Sequence, residues 1–242
     1  MAEDRHFTDN LSDIETSELI KELPDYFDFG GNLSSAAYLT WRFDSKNEVE
    51  TKFYQLGKAY FDTALAMIQI CLADNNDNKA DVWIFPILFH IVHGIEIYLK
   101  GFNSQYGIFT KINQLEYQET KIVGQHDIQQ LCNVALSLLK KNHDKDLLNE
   151  FVFVKRFIDI LYSHTKDMTF ARYPLAADKS EQFYVSQDSN ISIDMEVLTA
   201  WVRRVYSILD NCTGFVDFQI DQITEFHYEM RQGYGDSFGG EW

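Results

Sequence analysis

The chain has 242 residues, 45% of them apolar and 15% aromatic, with only three prolines. That composition is too apolar for a disordered chain, and the length is ample for a sizeable hydrophobic core. Against 21 basic side chains stand 37 acidic ones, a formal net charge of −16, so binding to a DNA duplex unaided is excluded, while a protein partner with a basic surface would be attracted.

Residues 1–48 are acidic and weakly patterned, and read as an N-terminal arm. Ile14–Leu23 is the one helix-forming stretch there, with Asp13, Thr16 and Ser17 as caps, and "DFGGNLSS" (28–35) is a loop by its glycines. The opening "MAEDRHFTDN" has no apolar signal-peptide region, which predicts a cytoplasmic protein. The cysteines agree with that. Cys71, Cys132 and Cys212 are odd in number, far apart and set in apolar stretches, so they read as buried free thiols in a reducing compartment.

Helical periodicity begins near Glu48. Phe53, Leu56, Tyr60, Ala64, Met67 and Cys71 recur at three and four residues, which predicts a helix over 51–73 with one apolar stripe. "DNNDNKAD" (74–81) breaks it. The next helix is expected over 82–102, with Pro86 in its first turn and Ile84, Leu88, Ile91, Ile95 and Leu99 facing inward. Gly101 and Gly107 mark its end. Pro86, His90, His93 and Glu96 interrupt the longest apolar run, Val82–Leu99, so no membrane span is expected there.

"GQHDIQQL" (124–131) opens another helix, with Asp127 as N-cap and Gln130 at the capping-box position. Ile128, Leu131, Ala135 and Leu138 should face inward. A helix over 147–164 follows, with Phe151, Val154, Ile158 and Leu161 on its apolar face. "MTFARYPLAAD" (168–178) is expected to be extended before Pro174, and "FYVSQDSNISI" (183–193) to form a small β-hairpin. Asp194 caps a helix over 195–211, and 215–232 makes a further one before a glycine-rich, acidic tail. The expected organisation is an N-terminal arm over 1–48, a helical domain over 49–214, and a C-terminal helix and flexible acidic tail over 215–242. The fold class is all-α, a helical bundle of four to six helices with a small irregular or β-hairpin insertion.

Chemistry concentrates in "HIVHGIEIYLKGF" (90–102). His93, Glu96 and Lys100 stand at i, i+3 and i+7, on one helical face, and Glu96–Lys100 is an i,i+4 pair in the favourable orientation. A helix-edge ion pair beside a core histidine accounts for the spacing as well as a site does. His90 and His93 with Glu96 lack the second ligand-bearing helix that a metal would need, so no metal is expected.

Three segments together resemble the HEPN-like proteins, small helical domains of prokaryotic toxin, phage-defence and nucleotide-associated systems. They are H-x-x-E-x-x-x-K in "FPILFHIVHGIEIYLKGF", the His126–Asp127 pair opening the next helix, and "FARYPLAAD" after a further helix. The resemblance covers about residues 50–212. It implies a four- or five-helix bundle that forms a homodimer and needs no cofactor, with RNA or a nucleotide among its ligands. Many members are metal-independent ribonucleases whose motif is Arg, four to six residues, then His. Here Arg156 and His164 are separated by seven residues, and the added residue turns the pair off a common face by about 100°.

The leading expectation is therefore an accessory, sensor or interaction protein of a defence or toxin–antitoxin system. It would bind a ligand or partner through a polar pocket of His93, Glu96, Lys100, His126, Asp127, Arg172 and Tyr173. The alternative is a toxin-like ribonuclease, its catalytic candidates being His93, His126, Arg156 and His164. A geometric expectation accompanies both: Arg172 reaches back to Glu96, and His93 and His126 line the same recess.

Overall fold

Two long helices, packed closely along their length, form the centre of the fold. The structure is a computed structural model that describes residues 37–38, 49–113, 115, 124–165, 168–173, 175, 178–182, 184 and 191–237, with side chains of the last helix to 230. The chain divides into two compact units, Met1–Phe43 and Asp44–Trp242. The helices described here belong to the second unit. The expected helix at 14–23 and loop at 28–35 lie outside the described residues.

Helix α1 spans Val49–Ala73 and α2 spans Lys79–Ile112. Three glycines bring them together. A Cβ on Gly57 would stand 2.6 Å from Tyr98 Cδ2, one on Gly101 would stand 2.6 Å from Tyr54 Cε1, and one on Gly94 would stand 3.1 Å from Phe61 Cδ2. Helix-interior glycine costs conformational entropy, and here it makes room for three aromatic rings. The buried stripe of α1 is Gly57, Phe61, Ala64, Ile68 and Cys71. It is rotated from the expected one, and Leu56 is 41% exposed. The apolar count favoured Leu56, whereas the contact is seeded by a residue with no side chain.

Helix α2 starts earlier and ends later than its periodicity suggested. Pro86 lies in the third turn, not the first. It denies the Val82 carbonyl its usual partner, which Val82, 69% exposed, can replace with water. Gly101 and Gly107 do not end the helix, because both are buried inside it. Most of α2 from Ile87 to Tyr106 is buried, as befits a helix touched by α1, by the two helices on its other sides and by a 3-10 turn. By length and hydropathy α2 could also cross a membrane, but a soluble core helix passes the same test, and 56% of its most apolar window is buried within the bundle.

Helix α3 (Ile128–Lys141) and α4 (Lys145–His164) form a hairpin joined by Asn142, His143 and Asp144. Asp144 caps α4 by accepting from Leu147 N at 3.3 Å. Phe151, Val154 and Ile158 enter the core from α4 as the stripe predicts, Phe157 joins them, and Leu161 is only half-buried. Thr169–Ala171 is a 3-10 turn, where extended backbone was expected, with Arg172 N donating to Thr169 O at 2.9 Å. The hairpin expected at 183–193 falls mostly outside the described residues. Among those described, the β-pairing is a single antiparallel bridge, Leu175 with Glu181.

Helix α5 runs unbroken over Met195–Ser237. Two helices were expected, parted near Gly214, with a tail after 232. No proline interrupts the segment, and Thr213 returns its hydroxyl to the Leu209 carbonyl, so the helix continues through the glycine and across the expected boundary at 214/215. Val202, Val205, Leu209, Cys212 and Val216 pack on the core, where α5 touches α1, α2 and α4. The bundle thus contains five α-helices among the described residues, and the all-α class holds. All three cysteines are free and buried. Burial pushes the Cys132 and Cys212 thiols up to about 12.

Candidate functional site

The charged group most deeply set in α2 is the Glu96 carboxylate, which is 7% exposed. A buried carboxylate is costly unless it is paired and hydrogen-bonded. Three nitrogens meet that need. Lys100, one turn on, donates from Nζ to Oε1 at 2.7 Å. His126, thirty residues away, places Nδ1 3.0 Å from the same oxygen, and His93 places Nδ1 3.5 Å from Oε2. Burial alone would push the Glu96 carboxyl up. The bonds from His93, Lys100 and His126 outweigh it and hold the group at about 2. Because an ionised carboxylate can only accept, the near nitrogen of His126 carries the proton, and Nε2 is left for another partner.

The loop before α3 is what brings His126 in. Asp127 accepts from Gln129 N at 2.9 Å and Gln130 N at 3.3 Å, as an N-cap. The reciprocal half of the expected capping box is replaced. Gln125 Oε1 accepts from Asp127 N at 3.3 Å, and its amide bonds the Gln130 side chain. Tyr162 of α4 donates to Asp127 Oδ1 at 2.8 Å, tying the cap to the hairpin. Asp127 therefore positions its neighbour His126 and is itself occupied. The imidazole of His126 closes the recess from outside, with its side chain 76% exposed.

Aromatic rings make the recess wall. The His93 ring stacks on Phe89 (centroids 5.6 Å, planes 11° apart) and meets Tyr60 edge-on at 4.6 Å. Neither Phe89 nor Tyr60 stood out in the sequence as a site residue. The signal was there for Phe89, four residues before His93 and hence on the same face. His90 is not part of the polar cluster. Burial and then the neighbouring His93 lower its pKa, and among the described residues its buried Nδ1 has no hydrogen-bond partner.

Arg172 does not reach Glu96. No ion pair joins them, and the exposed guanidinium lies 5.9 Å from the Phe89 ring centroid and 5.5 Å from that of Tyr173. The compensating cation for Glu96 is Lys100, which is already on the same helix, so the expected Arg172 bridge is not needed. Among the described residues Arg172 has no carboxylate partner. It stands instead at the recess margin, above the ring that carries His93. Tyr173 is 57% exposed.

Arg156 and His164 are not brought together either. Arg156 lies over Trp201 of α5, its guanidinium carbon 5.8 Å from the ring centroid. His164 is exposed at the end of α4. No three His, Cys, Asp or Glu side chains among the described residues are grouped so as to hold a metal ion. The chain matches no protein-family model, no curated protein and no solved structure.

Proposed function

We propose that this is a HEPN-like accessory or sensor protein of a prokaryotic defence or toxin–antitoxin system, which recognises an anionic ligand through the recess around Glu96. The family part of this reading rests on the sequence resemblance. The ligand part rests on one observation: Lys100, His93 and His126 satisfy the buried carboxylate, while Arg172 remains without an acidic partner among the described residues. The recess thus presents an imidazole Nε2 and a guanidinium outward, both suited to a phosphate oxygen. On a chain of net charge −16, such a local cationic face selects a short or compact anion over a long duplex. A nucleotide or a single-stranded RNA end fits that description.

The working form is a homodimer in the cytoplasm. Phe218, Phe226 and Met230 of α5 are 45–59% exposed, and an exposed apolar helix face is the kind of surface a partner helix covers.

A second reading, a metal-independent ribonuclease, is favoured by the Glu96–His126 pair. A carboxylate that fixes one imidazole nitrogen and frees the other is the arrangement a general base requires. One experiment separates the two. Purified protein is incubated with a labelled single-stranded RNA, with and without chelator, and both binding and cleavage are followed. Retention of intact RNA that weakens in Arg172→Ala and His126→Ala supports the binding protein. Chelator-resistant cleavage lost in His126→Ala supports the enzyme. Neither binding nor cleavage of RNA or of nucleoside triphosphates would overturn both.

A further inference from the structure

A second recess lies where the end of α4, the 3-10 turn and the first turns of α5 meet. It is a cavity of about 260 Å³. Its walls are Leu88, Phe157, Leu161, Phe170, Leu198 and Trp201, and Ile160, Ile193 and Val197 edge its mouth. None of His93, Glu96, Lys100, His126 and Arg172 lines this cavity, so the proposal does not depend on the reading of the first site.

The wall is a firm one. Trp201 is stacked on Phe153 at 4.8 Å, lies 6.1 Å from Phe157, and has Arg156 at 5.8 Å. An indole held on several sides offers a flat apolar surface at little entropic cost. The polar residues of the lining are few: His164, Thr165, Ser192 and Asp194. Asp194 belongs to the helix, since its carboxylate accepts from Glu196 N at 2.9 Å and Val197 N at 3.0 Å. His164 lines the cavity and is exposed at the last turn of α4. In either tautomer it has an N–H to donate. Concave, mostly apolar surroundings with a few polar groups are the pattern of a small-molecule site.

We propose that this cavity binds an amphiphilic small molecule, with an aryl or short acyl body against Trp201 and Phe157 and an anionic head on His164. Arg156, which the ribonuclease motif would have made catalytic, is here a positioning residue that backs the indole.

The test uses two fluorescent probes with the same ring system on the full chain: 1-anilinonaphthalene-8-sulfonate, which carries an anionic head, and uncharged N-phenyl-1-naphthylamine. Both should bind saturably at one site per chain, with energy transfer from tryptophan. Val197→Trp and Ile160→Trp fill the mouth from positions 53% and 43% exposed, which a folded bundle tolerates. Each should weaken both probes at least about tenfold, the loss of roughly one side-chain contact surface, with an unchanged circular dichroism spectrum. His164→Ala should weaken the sulfonate about tenfold and leave the neutral amine unchanged, since a hydrogen bond to a charged group is worth about that much. His164→Lys should restore sulfonate binding. Unsaturable binding, or saturable binding that both filling variants leave intact, would overturn the site. Equal effects of His164→Ala on the two probes would overturn the anionic head.

Discussion

Glu96→Gln is the sharpest perturbation of the bundle. In the folded protein the carboxyl is held at about 2, against an ordinary value of 4.5. The difference is about 2.5 pK units at 1.36 kcal/mol each, or about 3 kcal/mol in favour of the ionised form. The folded value is depressed, so this stabilisation is fully present above the unfolded value and disappears as pH falls from about 5 towards 2. Glutamine cannot carry the charge, and it leaves the Lys100 ammonium, whose side chain is 11% exposed, without its counter-ion. Urea denaturation should therefore find the variant about 3 kcal/mol less stable at pH 7. The gap between wild type and variant should shrink by about 2 kcal/mol at pH 3, where linkage leaves the rest. Comparing the two proteins at each pH cancels the other carboxylates. A gap below about 0.5 kcal/mol at pH 7, or one that is the same at pH 7 and pH 3, would refute the claim that this carboxylate is stabilised by its three nitrogen donors.

Gly57→Ala and Gly101→Ala should each destabilise by about 1–3 kcal/mol through overpacking, because each new methyl would stand 2.6 Å from a tyrosine ring. Gly214→Ala, with nothing within 4 Å of its Cβ, should instead stabilise by about 0.5–1 kcal/mol, and equal denaturation midpoints for all three would contradict the packing. Asp127→Ala should cost about 1–2 kcal/mol by removing the α3 cap, and Asp127→Asn much less, as thermal melts can check. The thiols of Cys71, Cys132 and Cys212 should stay unreactive to an aromatic disulfide reagent at pH 8 and all react in denaturant, since burial raises each of them. Rapid labelling of the native chain would contradict their burial.

The local half of this molecule was legible in its sequence. Helices α1, α3 and α4 follow from apolar spacing and caps, and Asp127 caps α3 where its neighbours require it. The Glu96–Lys100 pair is set by 3.6 residues per turn alone. His93 and His126 were expected in one recess, and both reach Glu96. Other features depended on what lies across the fold. Gly57, Gly94 and Gly101 look like weak points or stops in a linear reading, because their value lies in the rings of the facing helix. Gly214 and the segment after it read as a break and a tail, yet α5 passes through both, since a glycine without a proline weakens a helix by only about 1 kcal/mol and does not end it. Arg172 was assigned to Glu96 by the need of a buried carboxylate for a cation. Sequence alone identifies that need, but which cation meets it depends on distances. Lys100 is one turn away, and the 3-10 turn carries Arg172 out over Phe89. The cavity beside Trp201 has no counterpart in the linear pattern, because it is bounded by residues of four separate segments that only the packing of α4 against α5 brings together.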